Sequence, residues 1–281
     1  MPGCFACEVF QPRGQSGSRS FACSFHPAGL RNDADMKATH TVLVIDDEAP
    51  TLTMFRLFLG AYGYTVLTAE NGDTGLRLVH EHRPDIVFTD LKMPGTDGFE
   101  VLKQIKSAFP RTEVIVITGH GDMDHAIRAL NLDATDFINK PIGRGALDTA
   151  LRRAEFRLNS DRDESAALTM ELTAGVGILT VRGTLSGRHK AQLMALPDHV
   201  QASGGKGIVI RFADHAALNG AGIALLTRLI TEARSAAIPV AIASLSENFK
   251  TILDMVGIGK VAPCVDTLEA AVLTIDKRLP A

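Results

Sequence analysis

No apolar run in the 281 residues approaches the roughly 20 that an α-helix needs to cross a bilayer. The N-terminus also lacks the uninterrupted hydrophobic core of a signal peptide. Neither membrane insertion nor export is expected, and the sequence reads as cytoplasmic. Basic excess is missing too. With a formal net charge of −3 and no extended stripe of Lys and Arg, the chain has no electrostatic footprint for nucleic acid. No helix-turn-helix signature follows its first half. Cysteine is scarce, with four in the chain and none needed to staple a small core, which fits a reducing compartment. No serine sits in a nucleophile elbow. The stretch Ser203-Gly-Gly-Lys206-Gly has Gly207 where a phosphate loop needs Ser or Thr, so it reads as a turn. His80 and His82, two apart on an expected helix, face different directions and read as solvated.

What remains is a chain long enough for two ordinary domains, with chemistry placed at strand ends. Apolar runs at Thr41 to Ile45, Asp85 to Thr89 and Glu113 to Ile117 stop respectively at Asp46 and Asp47, at Asp90 and at Thr118. A fourth run, Thr135 to Asn139, leads into Lys140 and Pro141. Continuous apolar runs separated by helical spacing read as parallel strands buried on both faces. In such a sheet the strand C-termini share one edge, where ligands bind. Three neighbouring aspartates stay ionised only around a cation. Oxygen ligands without nearby Cys or His favour a hard ion, Mg²⁺ when a phosphate completes the shell.

The stretches VLVIDDE from Val42, FTDLKMPGTDGFE around Asp90, VIVITGHGD around Thr118 and ATDFINKP around Lys140 closely resemble the receiver domain of two-component response regulators. The likeness spans residues 38–158. It implies a flavodoxin-like, doubly wound α/β fold in which Asp90 accepts a phosphoryl group from a histidine kinase or phosphotransfer protein. Asp47, with Asp46 behind it, would hold Mg²⁺ together with Asp90 and the backbone carbonyl of Lys92. Lys140 and the ion would neutralise phosphoryl charge, and Thr118 would donate its hydroxyl. Phe137 falls at the aromatic switch position, and Lys140-Pro141 at a cis peptide. The only catalysis implied is formation and loss of the aspartyl phosphate. Asp97 is expected to cap the helix starting near Gly98. Asp133 stands where a left-handed glycine is usual. His120 and His125 lie beside the Thr118 motif, where His120 is placed to tune the site.

Leu147, Leu151, Ala154 and Leu158 form the stripe of a closing helix, followed by a charged linker at 159–166. A second, smaller α/β domain is expected over 167–281. Its strands are expected at Val176 to Arg182, Gly207 to Phe212 and Ile238 to Ser244. Ile223, Leu226, Ile230 and Ala233 mark one buried helix face, and a last helix runs from Asp266 to Asp276. The phrases GILTVRGTLS, GIVIRFADHAALNGAGIALL and ASLSENFKTILDMVGIGKVAPCVDTLEAAV look like the STAS domain of anti-sigma factor antagonists. In regulated members a serine before the helix-opening glycine is phosphorylated by a GHKL-type kinase that is also the anti-sigma factor. Here that phrase is Asn219, Gly220, Ala221 and Gly222, the expected partner-binding segment, and Ala221 has no hydroxyl to modify. Control would then have to come from elsewhere, and the receiver is the expected source. The alternatives are a domain turned dimerisation scaffold whose geometry answers to phosphorylation, or a phosphate sink. A helix opening at Gly222 also leaves room for an anionic ligand.

Residues 1–37 are rich in Gly, Ser, Pro and Arg and are expected to lack a packed core. Cys4, Cys7, Cys23 and His26 have the spacing of a zinc set. The other readings are a disordered extension, or a start at Met36.

Overall fold

The residues that end in chemistry begin as strands because nothing else buries them. Val42 to Ile45, Ile86 to Phe88 and Val114 to Ile117 are fully buried, a condition met only between two layers of helices. The computed structural model describes residues 40–119, 122–159 and 168–278, all within one compact unit. The Cys4, Cys7, Cys23 and His26 set, the expected N-terminal extension, His120 and most of the charged linker lie outside the described residues.

The first half runs β1 (Thr41–Ile45), α1 (Ala49–Ala61), β2 (Thr65–Ala69), α2 (Gly72–His82), β3 (Ile86–Asp90), α3 (Gly98–Ala108), β4 (Glu113–Thr118), α4 (Met123–Asn131), β5 (Asp136–Asn139) and α5 (Arg144–Asn159). Its strands form a parallel sheet of order β2-β1-β3-β4-β5. That is the doubly wound order expected. On one face Val42, Val44, Phe88 and Ile138 meet Leu52, Phe55 and Leu59 of α1 and Leu147, Leu151 and Ala154 of α5. On the other, Leu43, Val87 and Val116 meet side chains of α2, α3 and α4. Strand β2 was not anticipated. At the sheet edge it is only half-buried, so it shows no continuous apolar run. Asn71 caps α2 and Asp97 caps α3, each accepting from an amide three residues on. Asp133 is left-handed, with φ +66, as expected of a residue in a glycine's place.

The second half runs β6 (Leu168–Thr173), β7 (Val176–Val181), β8 (Thr184–Leu185), a short 3-10 turn, α6 (Lys190–Met194), α7 (Leu196–Ala202), β9 (Gly207–Phe212), β10 (Ala217–Leu218), α8 (Gly220–Ser235), β11 (Val240–Ala243), α9 (Glu247–Met255), β12 (Cys264–Val265) and α10 (Leu268–Arg278). Its main sheet has the order β12-β11-β9-β7-β6, parallel except for β6. Val176, Ile178, Val209 and Ala241 face α10 through Ala271 and Ile275. The opposite face carries Leu179, Ile208 and Ile210 against Ile223, Leu226, Ile230 and Ala233 of α8. The last helix starts at Leu268 rather than Asp266, because Thr267 Oγ1 accepts from the Ala270 amide and ends the preceding loop there.

Candidate functional site

Parallel pairing brings the strand ends together. In register, Asp90 lies opposite Ile117, and Thr118, one place further along β4, lies opposite Asn139, the residue before Lys140. The Lys140 amide donates to the Thr118 carbonyl at 2.8 Å, and Lys140-Pro141 is a cis peptide. The ammonium then reaches back along the edge. Lys140 Nζ is 2.6 Å from Asp90 Oδ2, 3.2 Å from Asp46 Oδ2 and 3.2 Å from Glu48 Oε2. The loop after β3 is equally constrained. Lys92 N donates to Asp90 Oδ1 at 3.0 Å, and a Cβ on Gly98 would stand 2.1 Å from the Asp90 carbonyl oxygen. Only glycine lets α3 start this close to the phosphoacceptor candidate.

Asp46 is fully buried and Asp90 nearly so, whereas Asp47 is exposed. Burial pushes the Asp46 carboxyl above its ordinary pKa. The Glu48 amide and Lys140 pull it back, and the charge of Asp90 adds to the push. Burial alone would depress the Lys140 ammonium, but its hydrogen bond to Asp90 and the charges of Asp90 and Asp46 hold it above the usual lysine value. Glu48 is shifted down by its hydrogen bonds to Lys140 and Thr51. Like-charge crowding at the edge is thus met by one cation.

The arrangement has room for a second. One carboxylate oxygen from each of Asp46, Asp47 and Asp90 lies within 4.8 Å of the others. Asp46 Oδ2 is buried and paired with the Lys140 ammonium at 3.2 Å without a well-aligned hydrogen bond. A set of three converging carboxylates, with no nearby sulfur or imidazole ligand among the described residues, suits a hard, oxygen-seeking ion. Thr118 Oγ1 is buried without a hydrogen-bond partner, an unmet donor at the same edge. Phe137, three residues before Lys140, is fully buried. The side chain of Lys92 turns the other way and pairs with Asp122 at 2.6 Å.

Asn219, Gly220, Ala221 and Gly222 lie in the second half, apart from this edge. The helix there opens at Gly220, two residues earlier than the sequence suggested, because Asn219 caps it by accepting from Gly222 N at 2.9 Å. That bond leaves the Gly222 amide unavailable to the anion considered above. Gly222 itself is enclosed, since a Cβ there would meet the Leu185 carbonyl oxygen at 2.1 Å, while Ala221 is exposed. Glu48 was missed by sequence reasoning, although its place directly after Asp47 was a signal. His80 and His82 are both exposed as expected, His80 lying edge-on to Phe109 at 5.0 Å.

Comparison with known proteins gives two families. The response regulator receiver domain matches residues 42–152, and the STAS domain matches residues 167–271. The probable transcriptional regulator ycf27 of Guillardia theta is 30% identical over 172 residues, covering 61% of this chain and 65% of that protein. The regulatory protein AtoC of Escherichia coli is 33% identical over 138 residues, covering 49% of this chain and 30% of that protein. The chain therefore spans less than two thirds of these relatives. Among solved structures, a response regulator receiver domain protein from Clostridium thermocellum is 39% identical, covering 42% of this chain and 96% of that one with a TM-score of 0.41.

Proposed function

The chain is a response regulator, a receiver domain followed by a STAS domain, and from that premise we propose that phosphorylation of Asp90 governs what the STAS domain binds. The observation that carries the reading is the ammonium of Lys140 on Asp90 Oδ2, beside the metal-competent carboxylates. A phosphohistidine donor, from a histidine kinase or phosphotransfer protein, loses its phosphoryl group to Asp90. A carboxylate oxygen of Asp90 forms the new O–P bond as the N–P bond breaks, and the electron pair leaves on the imidazole nitrogen. Lys140 moves from neutralising Asp90 to neutralising the phosphoryl oxygens, and Thr118 gains the acceptor it lacks. Asp46, Asp47 and Asp90, with the Lys92 carbonyl, would hold Mg²⁺, which when bound spreads the remaining negative charge.

A donor protein also has a surface on which to rest. The exposed side of α1 carries Leu57, 70% exposed, and Phe58, 41% exposed. With Pro50 and Met54 they make an exposed, largely apolar face, on the helix that begins immediately after Glu48. We assign this face to the donor's helix. In the STAS domain Ala221 cannot be phosphorylated, so the domain is fixed in the unmodified, binding-competent chemistry. Its proposed partner is an anti-sigma factor or related GHKL-type kinase.

The test is phosphoryl incorporation from a small acyl phosphate with Mg²⁺, read by intact mass, for wild type and Asp90→Asn. Modification of wild type alone is expected, and equal modification of both would sink the assignment. Leu57→Ser should slow transfer from a phosphohistidine protein while leaving the acyl phosphate reaction unchanged.

A second reading, a phosphorylation-dependent scaffold, is favoured by one feature. Strand β6 is a sheet edge that exposes Met170 and Leu172 on the same face, the kind of edge that recruits a second strand. A second copy is the occupant, and sedimentation of the two phosphorylation states decides it. Concentration-independent monomers in both would remove the scaffold.

A further inference from the structure

The two domains are not simply strung together. One continuous apolar cluster runs from Val116, Ala129 and Phe137 into Leu185, Leu226 and Phe249. Phe156 of α5 stacks on His215 at 5.0 Å and Arg157 Nη1 donates to Thr184 Oγ1 at 3.3 Å, and three further contacts join α4 and β5 to the STAS domain. First, Asn131 ends α4 against the start of α8, where a Cβ on Gly220 would fall 1.4 Å from Asn131 Oδ1 and 3.2 Å from its Cα. Secondly, Asn248 in the first turn of α9 donates from Nδ2 to the Phe137 carbonyl at 2.8 Å. Strand β5 is the edge of the receiver sheet, and a buried edge carbonyl needs a partner from elsewhere. Thirdly, Phe249 is fully buried, with its ring edge-on to Phe137 at 6.4 Å and under the Arg153 guanidinium at 4.9 Å. Asp136 and the Arg153 it pairs with are themselves buried.

These contacts fall on functional segments of both domains. On the receiver side they fall on Phe137, three residues from the lysine that holds Asp90. On the STAS side they fall on Gly220, within the segment assigned to partner binding. We propose that the STAS face formed by the start of α8 and by Asn248 and Phe249 of α9 is a docking surface whose resident occupant is this chain's own receiver. An external protein partner of that face must then displace α4 and β5.

This inference rests on the phosphoacceptor reading of Asp90 for its trigger, but not for its geometry. Ala221 remains exposed, so a partner can make first contact there while Gly220 stays covered by Asn131. Drawing Lys140 and Thr118 onto a phosphoryl group moves the ends of β4 and β5, the strands that present Phe137 to α9. Loss of fit at Phe137 costs the Asn248 hydrogen bond and the Phe249 ring contact together.

Hydrogen exchange on the full chain tests the surface without needing the partner. Wild type, wild type treated with acyl phosphate and Mg²⁺, Asn248→Ala and Gly220→Ala are compared. Amides of β9 and β11 serve as the control that the STAS core stays folded. The expected result is exchange about tenfold faster in the first turns of α8 and α9 for Asn248→Ala, as one lost net hydrogen bond implies. A comparable or larger increase is expected for Gly220→Ala and after phosphorylation, with β9 and β11 unchanged. Replacing Asn131 by Gly in the Gly220→Ala chain should restore much of the protection. If intact mass shows Asp90 modified while α8 and α9 are unchanged, receiver release is wrong and the phosphoacceptor reading stands. If Asp90 takes no phosphoryl group, the functional reading fails, and the two variants still decide the surface. Unchanged exchange in both overturns it.

Discussion

Lys140 Nζ sits 2.6 Å from Asp90 Oδ2 although the two residues are fifty positions apart in the chain. This contact joins the end of β3 to the residue after β5, and β4 lies between them. The ammonium therefore spans a strand to reach the carboxylate, and there it also meets Asp46 and Glu48, which follow β1 on the far side of β3. One cation serves three anions, which is a resting arrangement that a phosphoryl group or a divalent ion can redistribute.

Lys140→Met removes that cation while leaving Asp46 wholly buried. Breaking a buried pair from one side costs roughly 3–5 kcal/mol. Because the Lys140 side chain is 26% exposed, about 1–3 kcal/mol is expected here. The loss should depend on Mg²⁺. In chelator the variant melts well below wild type, and added Mg²⁺ raises its Tm more than that of wild type, whose carboxylates already hold an ammonium. Equal Mg²⁺ shifts in the two proteins would show that the carboxylates do not share a site with the lysine.

Gly98→Ala should damage the site from behind. The added Cβ would meet backbone, with Asp90 O at 2.1 Å and Leu91 Cα at 2.8 Å, so no side chain can yield. A cost of about 1–3 kcal/mol is expected from the overpacking, together with slower phosphoryl incorporation. Gly60→Ala is the matched control. Its Cβ meets nothing within 4 Å, it lies in α1, and it should stabilise by about 0.5–1 kcal/mol. Urea unfolding of both variants gives the sign.

Asp136→Asn should be among the most destabilising conservative changes in the receiver. Arg153 is buried against Asp136 and over the Phe249 ring, so the substitution strands a guanidinium with no counter-charge, at roughly 3–5 kcal/mol. Asp136→Leu combined with Arg153→Met removes both charges and should restore most of the loss. A double variant as unstable as the single one would assign the effect to packing instead.

The receiver strands were legible because Val42 to Ile45 and Val114 to Ile117 admit no exposed face, and the site was legible because each run ends in a side chain of distinct chemistry. Strand β2 was not, since Thr65 to Thr68 owe their conformation to register with β1 rather than to their own pattern. The antiparallel β6 escaped for the same reason, with only Leu168 buried. Nothing in the sequence marked Asn131, Asn248 or Phe249. An amide at the end of one helix and an aromatic in the first turn of another become meaningful only when the domains meet, and no periodicity within a segment encodes that meeting.

Cys264 offers a pH-dependent check on the STAS sheet. It lies on the two-residue edge strand β12, half-buried, and burial pushes its thiol up to about 11, with Asp254 adding to the push and Lys250 opposing it. Alkylation requires the thiolate, so at pH 8 only about one molecule in a thousand is reactive, against roughly one in four for an ordinary thiol of pKa 8.5. The folded chain should therefore alkylate at Cys264 roughly two-hundredfold more slowly than the same peptide in urea. The rate should climb about tenfold per pH unit between 8 and 10. Peptide mass mapping of the alkylated site reads both. A rate that levels off below pH 9 would mean that the thiol titrates near its ordinary value and that β12 does not stay closed over it.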